Sequence, residues 1–381
     1  MPDRWDPLQK LLEAGVSQGV FTAAAALAGL KGELCWQGAA GALSRDPGAA
    51  AASMDTVFDL ASLTKPLATT LALMVLAGRG QLDLAASLGE VLPAEWLPPG
   101  KRPLTLRSLL THRSGLPVWR PFYQEVLAAP PEARPTLLER LAAAAPLEYP
   151  PDTATLYSDL GFMLLKAVVE GVSGATLDRF CREAIYRPLG LKTLGFIPLP
   201  QPAQTVPTTK NQKPITKNRF YAATEPGLIA GRPPAGEVHD ENAWAAGGVA
   251  GHAGLFGPGR EVFHLVGSLY GANSGEKTGP LTPAAVRHFL TVPPGADRAC
   301  GFDTPGPDPA ARAAGPYFSP RSVGHLGFTG TSFWLDLETG QMVVLLTNRV
   351  HLGRDDKTKI QVFRTRLHEA ASRASGFTQP Y

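Results

Sequence analysis

The chain has 381 residues, 44% of them hydrophobic and 18% charged, and 36 Lys+Arg against 33 Asp+Glu leave a formal net charge of +3. That length exceeds a typical domain, so one large or two interleaved domains with a substantial core are expected. The basic excess is mild and forms no block, which speaks against nucleic acid as a principal partner, and no apolar run approaches the ~18 residues of a membrane span.

In chain order, Asp6 to Gln18 reads as an amphipathic helix, with Leu8, Leu11, Leu12 and Val16 at helical spacing. Val20–Leu30 and Gly32–Gly38 read as two strands joined by a turn at Lys31. Ser62–Ala77 is a strongly apolar helix that ends near Gly78. Short elements follow at Leu82–Leu84, Leu88–Leu92 and Leu104–Leu110, then helices at Glu132–Ala145, Leu160–Glu170 and Leu177–Ile185. From Pro198 to Gly236 the pattern dissolves into Pro, Thr, Gln, Asn and Gly, and a loop of that length usually forms the rim of a cleft. Helices return at Glu261–Tyr270 and Pro283–Leu290. Ser322–Phe328, Ser332–Asp336 and Met342–Asn348 are strand-like, with a turn at Glu338-Thr339-Gly340, and Lys357–Ala374 closes as a helix.

Strands therefore cluster at both ends and helices fill the middle. The expected class is α+β, a three-layer α/β/α arrangement whose antiparallel sheet is built from both chain ends and flanked by terminal helices. Residues 1–60 with 300–381 would form the sheet domain and 61–299 a mainly helical insertion, with a site at their interface. The high Gly (40) and Pro (36) content fits long shaped loops. Cys35, Cys181 and Cys300 form no CxxC pair, so neither a disulfide framework nor a zinc site is expected, and buried structural thiols are. The N-terminus has no signal-peptide core. As written the chain is expected to be soluble and cytoplasmic, or periplasmic or extracellular if a leader precedes it.

The chemistry concentrates in FDLASLTKPLATTLAL, residues 58–73. Ser62 and Lys65, three apart at a helix start, share one face. N–H groups left free at a helix start favour developing negative charge. A hydroxyl, an adjacent amine and free N–H donors are what a serine nucleophile requires.

Two further stretches complete a pattern: Tyr157-Ser158-Asp159 at a helix onset and His325-Leu326-Gly327 on a late strand. With LTLRSLLTHRSGLP, YSDLGFMLLKAVVE, GEVHDENAWAAGGVAGHAGLF and GFTGTS, they span Val57 to Asn348. The chain closely resembles the serine β-lactamase and penicillin-binding protein superfamily. The similarity is strongest to the class C-like branch, with its D-aminopeptidases, D-alanyl-D-alanine carboxypeptidases and esterases. The resemblance implies Ser62 as nucleophile and Lys65 beside it. It makes Tyr157 a second candidate base and a proton donor to the leaving group. An oxyanion hole would come from the N–H groups of Ser62 and of Phe328, just past Gly327. Which of Lys65 and Tyr157 acts as base stays open.

Two positions depart from the pattern. Asp159 stands where the family often has Asn, and its charge is expected to keep Lys65 cationic and shift base duty toward Tyr157. His325 stands where most members have Lys, which weakens the case for carboxylate-bearing β-lactams and favours an ester or uncharged amide. His252 is a candidate pocket-lining residue. His112 is expected to brace its loop, and His239, Asp240 and Glu241 to cap and fix theirs. The implied function is a serine hydrolase working through an acyl-enzyme on an ester, amide or β-lactam bond, with esterase or D-amino-acid peptidase activity ahead of efficient β-lactamase activity. The alternative is a penicillin-binding protein that is acylated but hydrolyses poorly and so serves as a binding module. No cofactor or metal is expected. The expected partner is a small-molecule or peptide-like substrate, and the oligomeric state stays open.

Overall fold

A computed structural model describes residues 4–199, 220–226, 229, 234–307 and 312–381. Most of the Pro198–Gly236 loop lies outside the described residues.

The strands are β1 (Ala23–Leu30), β2 (Glu33–Gly41), β3 (Phe58–Asp59), β4 (Gly195–Phe196), β5 (Leu255–Gly257), β6 (Ser322–Leu326), β7 (Ser332–Asp336) and β8 (Gln341–Thr347). Five of them make an antiparallel sheet in the order β2-β1-β8-β7-β6. β1 runs AAAALAGL and β8 QMVVLLT, so neither alternates apolar with polar residues. Both faces of these strands are covered. Ala24, Ala26 and Ala28 pack with Leu8, Leu12, Phe21, Phe363 and Leu367 of the terminal segments. Ala23, Ala25 and Leu27 face the opposite cluster, with Val262, Val266 and Leu269 from the helix Gly259–Asn273. Burial on two faces turns the amphipathic terminal helices and an apolar central sheet into three layers.

The edge strand β2 is covered least, which corrects one expectation: Cys181 and Cys300 are buried thiols, whereas Cys35 on β2 is exposed.

β3, β5 and β4 form a second sheet of three short strands. In it Phe58 pairs with Gly257 and Asp59 with Phe256. Leu60 N–H also donates to Leu255 O at 2.9 Å. This pairing lays the chain leading into Ser62 alongside the chain leaving His252, although they are far apart in sequence.

The expected helix from Ser62 is not one regular element. Ala61–Leu63 is a 3₁₀ turn, Lys65–Thr70 is wound as a π-helix, and only Leu71–Gly78 is α-helical. Pro66 sits where an α-helix would need an N–H directed at Ser62 O, and it has none to give. Wide π turns recur at functional sites because they re-aim side chains. The window Ala61–Gly78 has a mean hydropathy of 1.3, enough by composition and length for a membrane span, but 83% of it is buried inside the protein. It therefore runs through the core. The expected strand to Phe328 stops at Leu326, and Phe328 falls in the turn before β7.

Candidate active site

Ser62 sits on a strained turn. Ala61, immediately before it, has φ of 48°, in the left-handed region that non-glycine residues rarely adopt. Such a residue costs about 1–2 kcal/mol and persists where its surroundings hold it. Here Asp59 Oδ1 accepts from Ala61 N–H at 2.8 Å and Thr64 Oγ1 donates to Ala61 O at 2.6 Å. Thr64 Oγ1 in turn accepts from Leu255 N–H at 3.1 Å. The turn is tied to β5 and leaves Ser62 partly exposed among buried neighbours.

Lys65 is fully buried. Its Nζ donates to Ser62 Oγ at 3.0 Å and to His252 O at 3.3 Å, and it pairs with Asp159 Oδ1 at 2.7 Å. The ammonium lies 4.9 Å from the Tyr157 ring centroid, a cation–π distance. Burial pulls Lys65 toward the neutral amine. Asp159, seconded by Tyr157, outweighs it and holds the pKa well above the ordinary lysine value. The sequence expectation that Asp159 keeps Lys65 cationic has this geometric basis.

Tyr157 precedes the helix Asp159–Ser173. Ser158 caps that helix, its Oγ accepting from Gly161 N–H at 3.4 Å and donating to Pro117 O at 2.6 Å. Ser158 N–H donates to His112 Nδ1 at 3.0 Å, so the His112 proton is on Nε2. The His112 ring lies 4.5 Å from the Tyr157 ring. Burial, with Arg298 and Lys65 nearby, holds the His112 pKa well below the usual histidine value. His112 thus braces its loop and also aims Tyr157. Ser62 and Lys65 both act on the Tyr157 phenol, favouring its ionised form. Burial pushes its pKa up to about 12, with Lys65 opposing and Asp159 adding to the rise.

His252 reaches the site through its carbonyl. Its buried ring has Nε2 on Asp240 Oδ1 at 2.9 Å. Asp240 also caps the helix Glu241–Ala245 by accepting from Ala243 N–H at 2.8 Å. Burial disfavours its carboxylate, but the His252 contact and this N–H hold the Asp240 pKa down at about 2. Asp240 was legible as a cap in DENAW, but nothing in the sequence joined it to His252. At Gly251 a side chain would run into the backbone of Phe162, so only glycine lets the loop pack this closely on the Tyr157 helix. The ligand atoms of Asp159, Asp240 and His252 lie within 4.8 Å of one another, and Lys65 supplies the positive charge beside them.

The third wall is the turn after β6. Thr329 Oγ1 donates to Asp59 O at 2.8 Å and Thr331 Oγ1 to Leu60 O at 3.1 Å, which fixes the turn to the Ser62 segment. A side chain at Gly327 would collide with Thr331 Oγ1 and the carbonyl of Leu60. Among the described residues, no hydrogen bond takes up the backbone N–H of Ser62 or of Phe328. Phe328 itself is 37% exposed. The His325 ring lies 5.9 Å from the Tyr157 ring, with Nδ1–H donating to Leu326 O at 2.8 Å and Nε2 buried without a partner. Burial, with Lys65 and Arg298 adding and Asp303 opposing, lowers the His325 pKa. The imidazole is therefore neutral near pH 7 and offers an acceptor where a lysine would offer a cation.

The structure thus brings Ser62, Lys65, Tyr157, Asp159, His325, Gly327 and Phe328 together, with His252 present through its backbone.

The family description Beta-lactamase matches residues 8–365 of this chain. A protein of Escherichia coli (strain K12), provisionally named a D-alanyl-D-alanine carboxypeptidase, is 32% identical over 324 residues, covering 81% of this chain and 72% of its own. A like-named protein of Salmonella typhimurium is 31% identical over 314 residues, covering 79% of this chain and 71% of its own. Among solved structures, a penicillin-binding protein homologue from Caulobacter crescentus superposes with a TM-score of 0.73 at 20% identity, covering 98% of each chain. EstCE1, described as a hydrolase with promiscuous acyltransferase activity, gives 0.70 at 23% identity, covering 97% of this chain and 98% of its own. At these identities the two structures establish the shared fold.

Proposed function

We propose, because this chain belongs to the β-lactamase family and is a serine hydrolase of that superfamily, that Ser62 is acylated by esters or uncharged amides in preference to carboxylate-bearing β-lactams. The observation that carries the chemistry is the convergence of one hydroxyl, one ammonium and one phenol, with Lys65 Nζ 3.0 Å from Ser62 Oγ.

Ser62 Oγ attacks the substrate carbonyl carbon as its proton passes to the Lys65–Tyr157 pair. The carbonyl π pair moves onto oxygen, where the N–H groups of Ser62 and Phe328 receive the charge. Collapse breaks the bond to the leaving group, which takes the proton back from the pair and departs as an alcohol or amine. Water then attacks the ester on Ser62 by the same route and releases the acid. The pair can accept a proton only after losing one of its own. The forms ammonium plus phenolate and amine plus phenol hold the same number of protons and titrate as one unit. With Lys65 held cationic by Asp159, the first form predominates, so Tyr157 carries the base function.

That assignment has a pH consequence. The charge on Asp159 raises the pKa of both members of the pair, so it keeps them fully protonated to higher pH. Asp159→Asn removes the charge and keeps an acceptor for Lys65. The acidic limb of the kcat/KM–pH profile is expected to move to lower pH by about 1 unit or more. Near pH 7 activity would then rise by about tenfold. A limb that stays in place would remove the pair as the titrating group.

The preference for uncharged substrates rests on the neutral His325. His325→Lys is expected to raise kcat/KM for penicillins and peptidyl-D-alanine substrates about tenfold relative to a p-nitrophenyl ester, the scale of one charge-assisted hydrogen bond. An unchanged ratio would discard the recognition role. Labelling with a fluorophosphonate and a fluorescent penicillin, followed by peptide mapping, tests the whole reading. Both adducts are expected on the Ser62 peptide, the phosphonyl one persisting and the penicilloyl ester being lost on incubation as water completes the cycle. A penicillin adduct that persists with no ester turnover would favour the binding module, and an adduct elsewhere would overturn the assignment.

A further inference from the structure

Arg364, on the C-terminal helix Thr358–Ala374, has no role in the mechanism above, yet its placement is energetically unusual. The residue is buried, at 6% exposure. Its Nη2 donates to Gly327 O at 2.9 Å and to Thr331 O at 2.7 Å. Among the described residues no carboxylate pairs with it, and its Nε is buried without a partner. Burial, with Arg349 nearby, depresses its pKa. A guanidinium taken out of water without a counter-ion is costly, and a large part of that cost is offset here only by backbone carbonyls.

Those carbonyls belong to the turn after β6. Gly327 O and Phe328 N–H are the two ends of one peptide group. Gly327 O also accepts from Gly330 N–H at 3.0 Å, and the next carbonyl, Phe328 O, accepts from Arg349 Nε at 3.0 Å. Phe328 N–H itself has no protein acceptor among the described residues. A charged donor on the oxygen of an amide draws electron density toward it and makes the N–H at the other end a stronger donor. The same bond fixes the plane of the peptide, and therefore the direction of the N–H.

We propose that Arg364 is a positioning residue for the oxyanion hole, polarising and orienting the Gly327–Phe328 peptide so that Phe328 N–H stabilises the negative charge of the acylation transition state. The proposal rests on the serine-hydrolase reading above and assigns a group on the far side of the turn, contributed by the last helix, to that reaction. Its cationic charge also adds positive potential beneath a site where an oxyanion develops.

The test uses the full chain and three substitutions, Arg364→Lys, Arg364→Gln and Arg364→Met. Concentrations are normalised by the burst of a p-nitrophenyl ester, which counts acylatable Ser62. Outright loss of an oxyanion-hole donor costs about 10²–10³-fold. Weakening one is expected to lower kcat/KM about 10- to 100-fold in Arg364→Met, with less loss in Arg364→Gln and least in Arg364→Lys, which keeps the charge. The binding of an alkylboronic acid, which becomes a tetrahedral anion on Ser62, should weaken by the same factor across the series. Binding of the unreactive ketone-free product alcohol should stay constant. Any two variants that fold define the correlation. Boronate affinity that does not follow kcat/KM, or a lysine variant no better than the methionine one, would overturn the role of Arg364. Turnover surviving in Ser62→Ala would overturn the underlying serine reading instead, and the two failures are thus distinguishable.

Discussion

Ser62→Ala is expected to lower turnover of a chromogenic ester by about 10⁴- to 10⁶-fold while the melting temperature stays within the scatter of measurement. The oxygen is the only atom removed, and the covalent route disappears with it. The residue is partly exposed, and substitutions of this kind usually change stability by no more than ~0.5 kcal/mol. Lys65 loses one acceptor but keeps Asp159 and the His252 carbonyl. Intact-protein mass spectrometry after incubation with a fluorophosphonate checks the result, since the variant should carry no adduct. Turnover above about a hundredth of the parent rate would show that another nucleophile is at work.

The second large effect separates chemistry from stability. Lys65→Met should lower acylation by about 10³-fold, because Ser62 and Tyr157 lose the cation that links them. It should also destabilise the fold by about 3 kcal/mol, since removing one partner of a buried pair leaves an uncompensated charge. Asp159 retains some solvent contact, with 16% side-chain exposure, which places the cost at the lower end of that range. Adding Asp159→Asn to Lys65→Met removes the orphaned charge. The double variant is therefore expected to recover most of the lost stability in urea denaturation and none of the activity. Recovery of activity would show that Lys65 acts only by neutralising Asp159. A single variant as stable as the parent would mean that Asp159 is better solvated than its 2.7 Å pairing with Lys65 implies.

Some of the site could be read locally. Ser62 and Lys65 are close in sequence, and their relation depends on one turn of chain. Asp159 follows Tyr157 by two residues, so its proximity to Lys65 followed once the two segments were expected to meet. Other features could not be read this way. His252 had no signal that it would act through its carbonyl, because that depends on Gly251 letting the loop pack against Phe162. Over Ser62–Ala77 hydrophobic periodicity predicts a plain helix, since so short a span does not register the π turn at Lys65–Thr70. Arg364 carries no local signal within the terminal helix, because its burial depends on the turn whose carbonyls it meets.

The sequence alone determined the class of fold, because apolar periodicity and turn residues are local and the amphipathic terminal helices leave few ways to cover both faces of the sheet. It also determined the reactive residue types, since a hydroxyl, an amine and a phenol keep their chemistry wherever they lie. Tertiary structure decided their protonation and direction. Whether Lys65 is an ammonium depends on a carboxylate 2.7 Å away, and whether His325 is neutral depends on burial. The availability of Phe328 N–H depends on the hydrogen bonds that occupy its neighbours. Electrostatic interactions act through space between groups that are remote in the chain, so their sign and size exist only once the chain has folded.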